Sequence, residues 1–326
     1  MHAIIPVAGK GTRMRPLTWS VPKVLIHLAG NTMLGHILDE LIVSGVDHIT
    51  LIVGYLGDEV VNWTRKTYPD IKVDFALQKT MDGLASAVNL ASPMTGDGKT
   101  LVVLGDTLFK ADLSLAFSGE SNMIAVKRVD DPGRFGVVVQ DNNRIKRLVE
   151  KPSKFVSDLA IVGIYGFVSG SELMNATSRL IKSGKKTSGE FQLTDAMQMM
   201  LEEGQPFGCF EVEGWYDCGK PETILETNRI LLDTKKGLSS GEMKDTVLIS
   251  PVSIDTNVNI ESSVVGPYVS IASGTEIRNS IVSNSIIGIG TKLTRVNIQD
   301  SIIGNEAEIS SSAARINAGS SSKIEI

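Results

Sequence analysis

The chain has 326 residues, room for two domains at roughly 100–200 residues each. With 42% apolar and 21% charged residues it has a globular balance and enough chain to bury a sizeable core. Its 32 Lys and Arg against 37 Asp and Glu (net charge −5) argue against nucleic-acid binding by a broadly basic surface, although a local basic pocket stays open. No apolar run approaches the ~18 residues of a membrane span. A glycine-rich segment begins by Gly9 and leaves no room for a signal peptide. Cys209 and Cys218 have neither metal-ligand spacing nor a disulfide framework, as expected for two reduced thiols in a cytoplasmic protein.

Up to about residue 235, short apolar runs alternate with helical patterns. Residues 2–7 read as a strand. Leu34, Ile37, Leu38, Leu41 and Ile42 recur at helical spacing, with Asn31 and Thr32 as a start signal. The pattern then predicts a strand at 49–53, a helix at 58–66, a strand at 73–77, a helix at 83–91 and a fully apolar strand at 101–104. Such alternation argues for a parallel sheet covered on both faces. Two strand pairs are expected next, 123–129 with 136–140 and 145–149 with 161–168. Helices follow at 171–182, 193–203 and 222–233, the last preceded by Pro221, a favourable first-turn residue.

Beyond a polar stretch at 235–241 the helical pattern stops. Residues 245–326 hold 16 Ile, 8 Val and 16 Ser and no Trp, His or Cys. Apolar residues recur every five or six positions, in units such as VSIDTN from Val252, VNIESS and VSIASG. This period predicts a parallel β-helix of about four turns of eighteen residues, less regular beyond Ser310. A single rung cannot bury its own face, so rungs must stack.

The chemistry concentrates in the first half. Ala8-Gly9-Lys10-Gly11-Thr12-Arg13 directly follows a strand, where glycines let backbone N–H groups approach phosphates. It is not a dinucleotide fingerprint, because Met14 stands where the third glycine would fall, and the GxxxxGK[ST] of a P-loop cannot be laid on it. Lys23 follows within the same short segment. Backbone donors, a planar guanidinium at Arg13 and a point charge at Lys23 together suit a triphosphate. Asp106 ends the buried strand 101–104, at the carboxyl edge where open α/β sheets gather their ligands.

Seven motifs in order resemble the sugar-phosphate nucleotidyltransferases, the nucleotide-sugar pyrophosphorylases. They are AGKGTRMRPLT with Pro22-Lys23; Gln78 with Asp82-Gly83-Leu84-Ala85; Gly105-Asp106; Arg134-Phe135-Gly136-Val137-Val138; Glu150-Lys151-Pro152; Gly189 to Asp195 (GEFQLTD); and Trp215-Tyr216-Asp217-Cys218-Gly219 with Pro221-Glu222. Gln78 and its neighbours are similar to the base-reading segment of glucose-1-phosphate thymidylyltransferases.

The resemblance implies an α/β fold: a Rossmann-like, doubly wound mixed sheet over residues 1–234, a linker at 235–246, and a short left-handed parallel β-helix of hexapeptide repeats over 247–326. It implies that a nucleotidyl group passes from a nucleoside triphosphate, dTTP or UTP, to a sugar 1-phosphate such as glucose 1-phosphate, with Mg²⁺ as cofactor. Asp106 and Asp217 would hold the metal. Arg13 would stabilise the departing pyrophosphate and Lys23 would contact the transferring phosphates. Ala8, Gly9, Gly11, Thr12, Gln78, Gly83 and Asp106 would bind the nucleotide, with Gln78 and Gly83 reading the pyrimidine edge. Gly136, Glu150, Lys151 and Trp215 would bind the sugar phosphate.

The loop is one residue shorter than the AGGxGTR usual in thymidylyltransferases, as in uridylyltransferase branches. Ser188 stands where many of them carry Arg, with Lys185 or Lys186 nearby. Uracil and thymine differ by one methyl, worth only about 1–3 kcal/mol of discrimination, and the Gln78 segment tips the reading towards dTTP. A second activity in the β-helix is disfavoured by its lack of histidine. A catalytically inactive, nucleotide-sugar-binding regulatory subunit is disfavoured by the presence of Arg13, Lys23 and both aspartates. A homo-oligomer is expected, because an Ile-rich solenoid with few charges tends to bury a flank.

Overall fold

The computed structural model describes residues 1–141, 144–234 and 241–312. Half of the stretch expected as a linker (235–240 of 235–246) and nearly all of the tail beyond residue 310 (313–326) lie outside them. The chain forms two compact units, Met1–Thr227 and Asn228–Ile326.

The first unit opens with β1 (His2–Pro6), a small hairpin of β2 (His27–Leu28) and β3 (Asn31–Thr32), then α1 (Met33–Val43). Thr32 caps α1 by accepting the Gly35 N–H at 3.0 Å, so the start signal works as its chemistry suggests. β4 (His48–Val53), α2 (Gly57–Thr67), β5 (Lys72–Leu77), α3 (Leu84–Asn89) and β6 (Thr100–Val103) follow. β4 lies parallel to β1 and β5, and β6 parallel to β1 on its other side. β1 and β6 are buried almost throughout, because both sheet faces are covered.

After β6 come β7 (Thr107–Lys110), β8 (Asn122–Arg128), β9 (Gly136–Asp141), β10 (Arg144–Glu150), β11 (Leu159–Phe167), α4 (Gly170–Ser183), α5 (Leu193–Glu202), β12 (Phe207–Glu211), β13 (Gly214–Asp217) and α6 (Pro221–Thr234). The main sheet runs β10-β9-β11-β6-β1-β4-β5, with β8 and β12 beyond β11. The strand pairs expected from sequence are exchanged. β9 pairs antiparallel with β10, which begins only three residues after β9 ends, whereas β8 pairs with β11. The short connection closes the local hairpin, and the β8–β9 link instead carries a 3-10 turn at Pro132–Arg134. One core cluster joins Ile4, Val102, Ile124 and Phe167 of the sheet to Val88, Leu173, Met197 and their neighbours on α3, α4 and α5.

At the amino ends of the parallel strands, His2 and His48 stack with ring centroids 4.2 Å apart. His48 Nε2 lies 2.7 Å from Asp74 Oδ2, and His2 Nε2 lies 2.8 Å from Thr50 Oγ1. Burial, and then the neighbouring His48, lower the His2 pKa from 6.5 to about 4, against an opposing pull from Asp74. Between those values the unfolded chain binds the proton and the fold does not. His2 therefore favours the fold fully above pH 6.5, and that contribution shrinks as pH falls towards 4. The expected loss between pH 6.5 and 5 is about 1–2 kcal/mol. Comparing melting curves of wild type and His2→Gln over this range checks it, since the variant should show the shallower pH slope.

The second unit carries three stacks of short parallel strands. One contains β14 (Glu242–Lys244), β17 (Asn259–Glu261), β20 (Glu276–Arg278), β23 (Lys292–Thr294) and β26 (Glu308–Ser310). A second contains β15 (Val247–Leu248), β18 (Val264–Val265), β21 (Ile281–Ser283) and β24 (Asn297–Gln299). The third contains β16 (Val252–Ile254), β19 (Val269–Ile271), β22 (Ile286–Ile287) and β25 (Ile302–Ile303). This is a left-handed parallel β-helix, and its first strand begins before Val247.

Its rungs are shorter than the eighteen residues expected. Glu242 pairs with Asn259 and Asn259 with Glu276, 17 residues apart, whereas Glu276 to Lys292 and Lys292 to Glu308 are 16 apart. The corners explain this. Asp245, Ser262, Asn279 and Arg295 form one column of left-handed residues, and Tyr268, Asn284 and Asp300 another. The corner N–H groups of Ser262, Tyr268, Asn279, Asn284 and Arg295 reach carbonyls of the preceding rung, as in Ser262 to Lys244 and Asn279 to Glu261, both at 3.0 Å. One left-handed residue turns the chain more tightly than an extended residue would. The serines also have structural work. Ser263 Oγ accepts the Ser280 N–H at 3.0 Å, and Ser280 Oγ accepts the Val296 N–H at 3.2 Å. Val265, Ile260, Ile271, Ile277, Val282, Ile287 and Leu293 fill the interior.

Candidate active site

Four parallel strands (β1, β4, β5 and β6) end on one edge of the first unit, and the expected site residues gather there. Asp106 lies just past β6, and Lys23 Nζ donates to its Oδ2 at 3.1 Å. The Lys23 side chain is only 10% exposed, whereas that of Asp106 is 49% exposed. The amine therefore rises from beneath and the carboxylate faces outwards.

Asp217 reaches the same place through a ribbon that the sequence pattern did not reveal. β13 pairs antiparallel with β7, setting Asp217 opposite Thr107, and the Cys218 N–H bonds the Asp106 carbonyl at 3.3 Å. Two aspartates remote in the chain thus come to lie on adjoining stretches of backbone at one end of this ladder. Asp217 Oδ1 accepts the Gly219 N–H at 2.9 Å. A methyl on Gly219 would lie 2.8 Å from Asp217 Oδ1 and 3.1 Å from Arg13 Nη2, so guanidinium and carboxylate flank one gap. Cys218 is fully buried behind them, and burial pushes its thiol up to about 12, leaving it protonated and unreactive at neutral pH. Both cysteines are free.

The glycine loop lies beside this group. Gly11 adopts φ +58 and stands against the Lys23 and Thr18 side chains, and Thr18 Oγ1 donates to its carbonyl at 2.8 Å. Thr12 begins the 3-10 turn Thr12–Met14 that carries Arg13. Around Gly9 the space is open. Ala8, Gly9, Gln78 and Gly83 line one pocket of about 240 Å³ together with Met81, Leu84 and Glu190. Gln78 is 9% exposed and its Nε2 donates to the Thr80 carbonyl at 3.1 Å. Gly83 has φ +128, and a Cβ there would fall 2.4 Å from the Phe191 carbonyl oxygen, so only glycine fits.

Gly136, Glu150, Lys151 and Trp215 form a third group. Gly136 pairs with Glu150 across the β9–β10 ladder. Lys151 Nζ lies 3.8 Å from Glu150 Oε1, and the Lys151 N–H bonds the Phe135 carbonyl at 3.0 Å. The rings of Phe135 and Trp215 meet edge-on, 4.8 Å between centroids. Trp215 is two residues from Asp217, so this group adjoins the carboxylate pair. Segment 190–194 ties the groups together: Glu190 lines the pocket, Phe191 stacks its backbone on Gly83, and Thr194 donates to Glu150. The sequence motif marked this segment without revealing those contacts. Lys186, one of the two lysines near Ser188, sits over the Phe191 ring at 4.7 Å.

The donors suit a small hard cation. Asp106 commits one oxygen to Lys23 and Asp217 one to Gly219, which leaves each a second carboxylate oxygen without a partner among the described residues. Those residues contain no cluster of three or more His, Cys, Asp or Glu that would enclose an ion. Mg²⁺ prefers such a setting, with one or two carboxylates and the rest from phosphate and water. Among the described residues no helix is long and apolar enough to cross a membrane.

Known proteins share this architecture. The chain is 30% identical to the low-salt glycan biosynthesis nucleotidyltransferase Agl11 of Haloferax volcanii, over 95% of this chain and 94% of that protein. It is 35% identical to the bifunctional protein GlmU of Methanocaldococcus jannaschii, over 93% and 78%. It is 27% identical to a glucose-1-phosphate thymidylyltransferase of Streptomyces griseus, over 95% and 94%. Among solved structures, UDP-glucose pyrophosphorylase in complex with UDP-glucose shares the fold, at TM-score 0.60 and 21% identity over 72% of this chain and 99% of that one. The nucleotidyl transferase family model matches residues 2–234, and the chain belongs to that family.

Proposed function

We propose that the chain transfers a nucleotidyl group from dTTP to glucose 1-phosphate, giving dTDP-glucose and pyrophosphate. The observation that carries this reading is the Lys23–Asp106–Asp217 group, with Arg13 at its edge, beside an open glycine loop. The near full-length match to a glucose-1-phosphate thymidylyltransferase supports the sugar and the base.

A phosphate oxygen of the sugar 1-phosphate attacks the α-phosphorus. The new P–O bond forms as the bond to the bridging oxygen breaks, and pyrophosphate leaves with the electron pair. Such transfers depend on positioning and on charge stabilisation. Bound by the free carboxylate oxygens of Asp106 and Asp217, Mg²⁺ would supply charge neutralisation for the phosphates. Lys23 faces the α-phosphate and Arg13 the departing pyrophosphate. Lys151 holds the sugar phosphate, and Glu150 accepts hydrogen bonds from sugar hydroxyls. Gly136 leaves room for the ring, and Trp215 supports that wall through Phe135. Gln78 and the Gly83 N–H read the pyrimidine edge.

The shorter glycine loop favours a second reading, UTP in place of dTTP. A pyrophosphate-release panel separates the two: five nucleoside triphosphates against glucose, mannose, galactose and N-acetylglucosamine 1-phosphates. Highest kcat/KM for dTTP with glucose 1-phosphate is expected. Preference for UTP would select the second reading, and no release with any pair would point to a regulatory subunit.

We also propose a homo-oligomer. Val247, Val264 and Ile281 stack in register on one solenoid face, with Val247 58% and Ile281 50% exposed. Such an aliphatic column suits burial against a second copy. Light scattering is expected to give a multiple of the 35.0 kDa chain mass, reduced by Ile281→Asp. A wild-type mass of one chain at all concentrations would refute it.

A further inference from the structure

Threonines inside helices usually return their hydroxyl to their own helix. Thr64 donates to the Val60 carbonyl at 2.8 Å, and Thr177 to that of Leu173 at 3.1 Å. Thr194 differs. It is the second residue of α5, so the residue four before it, Glu190, lies outside the helix and offers no helical carbonyl. Its hydroxyl points away from α5 and donates to Glu150 Oε2 at 2.8 Å. Thr194 is 5% exposed and the Glu150 side chain 11% exposed.

Burying a carboxylate is costly unless it accepts hydrogen bonds, and bonds to an ionised acceptor are the stronger kind. Glu150 also lies against the first turn of the ten-residue α5, where the partial positive charge of the helix favours an anion. The two carboxylate oxygens are unequal. Oε2 is tied to Thr194, whereas Oε1 has only Lys151, 3.8 Å away. The missing side chain of Gly136 keeps the space in front of them open. A Cβ there would lie 3.0 Å from Glu150 Oε2 and 3.2 Å from Thr194 Oγ1.

We propose that Thr194 is a positioning residue for the acceptor substrate: by holding Oε2 it fixes the plane of the Glu150 carboxylate and presents Oε1 to the hydroxyls of the sugar 1-phosphate. This rests on the nucleotidyl-transfer reading above. Thr194 touches neither triphosphate nor metal ligands in this scheme, so its effect is confined to the acceptor. The base pocket is tied to the same segment through Phe191 and Gly83, and that link is made by backbone atoms, which a side-chain change at Thr194 leaves in place.

The test compares the full-length wild type, Thr194→Val and Thr194→Ser by pyrophosphate release, with dTTP and glucose 1-phosphate each varied. Val keeps the branched shape and removes the hydroxyl. The variant is expected to raise KM for glucose 1-phosphate about tenfold, the size of one hydrogen bond to a charged group. KM for dTTP is expected to stay within twofold, and Ser to restore the sugar-phosphate KM to within threefold. In an Glu150→Ala background, Thr194→Val is expected to add less than twofold, because it acts through a carboxylate that is gone. An unchanged sugar-phosphate KM in Thr194→Val would overturn the proposal. Equal rises in both KM values, or Ser behaving like Val, would do the same by marking a general packing role. Should Thr194→Val not fold, the Ser variant and the Glu150→Ala pair decide: Ser must keep the wild-type KM, and adding Ser to Glu150→Ala must change nothing further. A wild type that turns over no triphosphate with any sugar phosphate would instead sink the nucleotidyl-transfer reading, and this proposal with it.

Discussion

Asp217→Ala is expected to lower kcat/KM for nucleotidyl transfer by at least about 10³-fold, or about 4 kcal/mol, with little change in melting temperature. The carboxylate is exposed, and among the described residues its one hydrogen bond comes from the nearby Gly219 N–H, so the fold has little stake in it. Its chemical stake is large in the proposed mechanism, where half of the protein's grip on Mg²⁺ would go with it. Asp106→Ala is expected to lose as much activity and, unlike Asp217→Ala, to destabilise the chain by about 1–3 kcal/mol. The difference comes from Lys23. Its amine is nearly buried and pairs with Asp106, so removing the carboxylate leaves a charge without its partner. Steady-state kinetics and thermal melts on both variants check this contrast. Near-wild-type turnover in either variant would contradict the metal assignment, and equal melting temperatures would contradict the account of Lys23.

Arg13→Ala is expected to reduce kcat by roughly 10²–10³-fold, the range seen when one preorganised charge stabiliser is removed. The guanidinium sits at the gap beside Gly219, held by a 3-10 turn on a loop whose Gly11 takes a left-handed conformation. In the proposed mechanism it meets a charge that grows as pyrophosphate leaves, so the loss should fall on kcat more than on KM for glucose 1-phosphate. Arg13→Lys is expected to recover only part of the rate, because an ammonium cannot span two phosphate oxygens as a planar fork does. Single-turnover kinetics separates the chemical step from product release. An unchanged single-turnover rate in Arg13→Ala would remove Arg13 from the chemistry.

The catalytic unit was legible wherever the signal is local. Thr32 caps its helix, the apolar run at 101–104 is a buried central strand, and the segment ending in Gly105-Asp106 stops at the carboxyl edge of a parallel sheet. Partner choice was not local and was misread. Strands β8 and β9 are each recognisable from their apolar residues, but periodicity says nothing about which strand lies alongside. The two-residue separation of β9 from β10 favours that local pair, and β8 lies along β11 instead. The solenoid shows the same division. Its repeat marked the inward residues, whereas rung length depended on corners such as Ser262 and Asn279, whose left-handed backbone leaves no periodic trace.

The candidate site divides along that line too. The order of motifs along the chain, through the family they resemble, set the expectation that a glycine loop, two cations and two aspartates serve one kind of chemistry. Charge, donor geometry and backbone freedom are properties of the residues themselves. That Asp217 stands beside Asp106 was decided only in three dimensions, by the β7–β13 ladder, and so was the hold of Thr194 on Glu150. Both contacts join segments more than forty residues apart, and the packing that brings such segments together is a property of the whole folded chain.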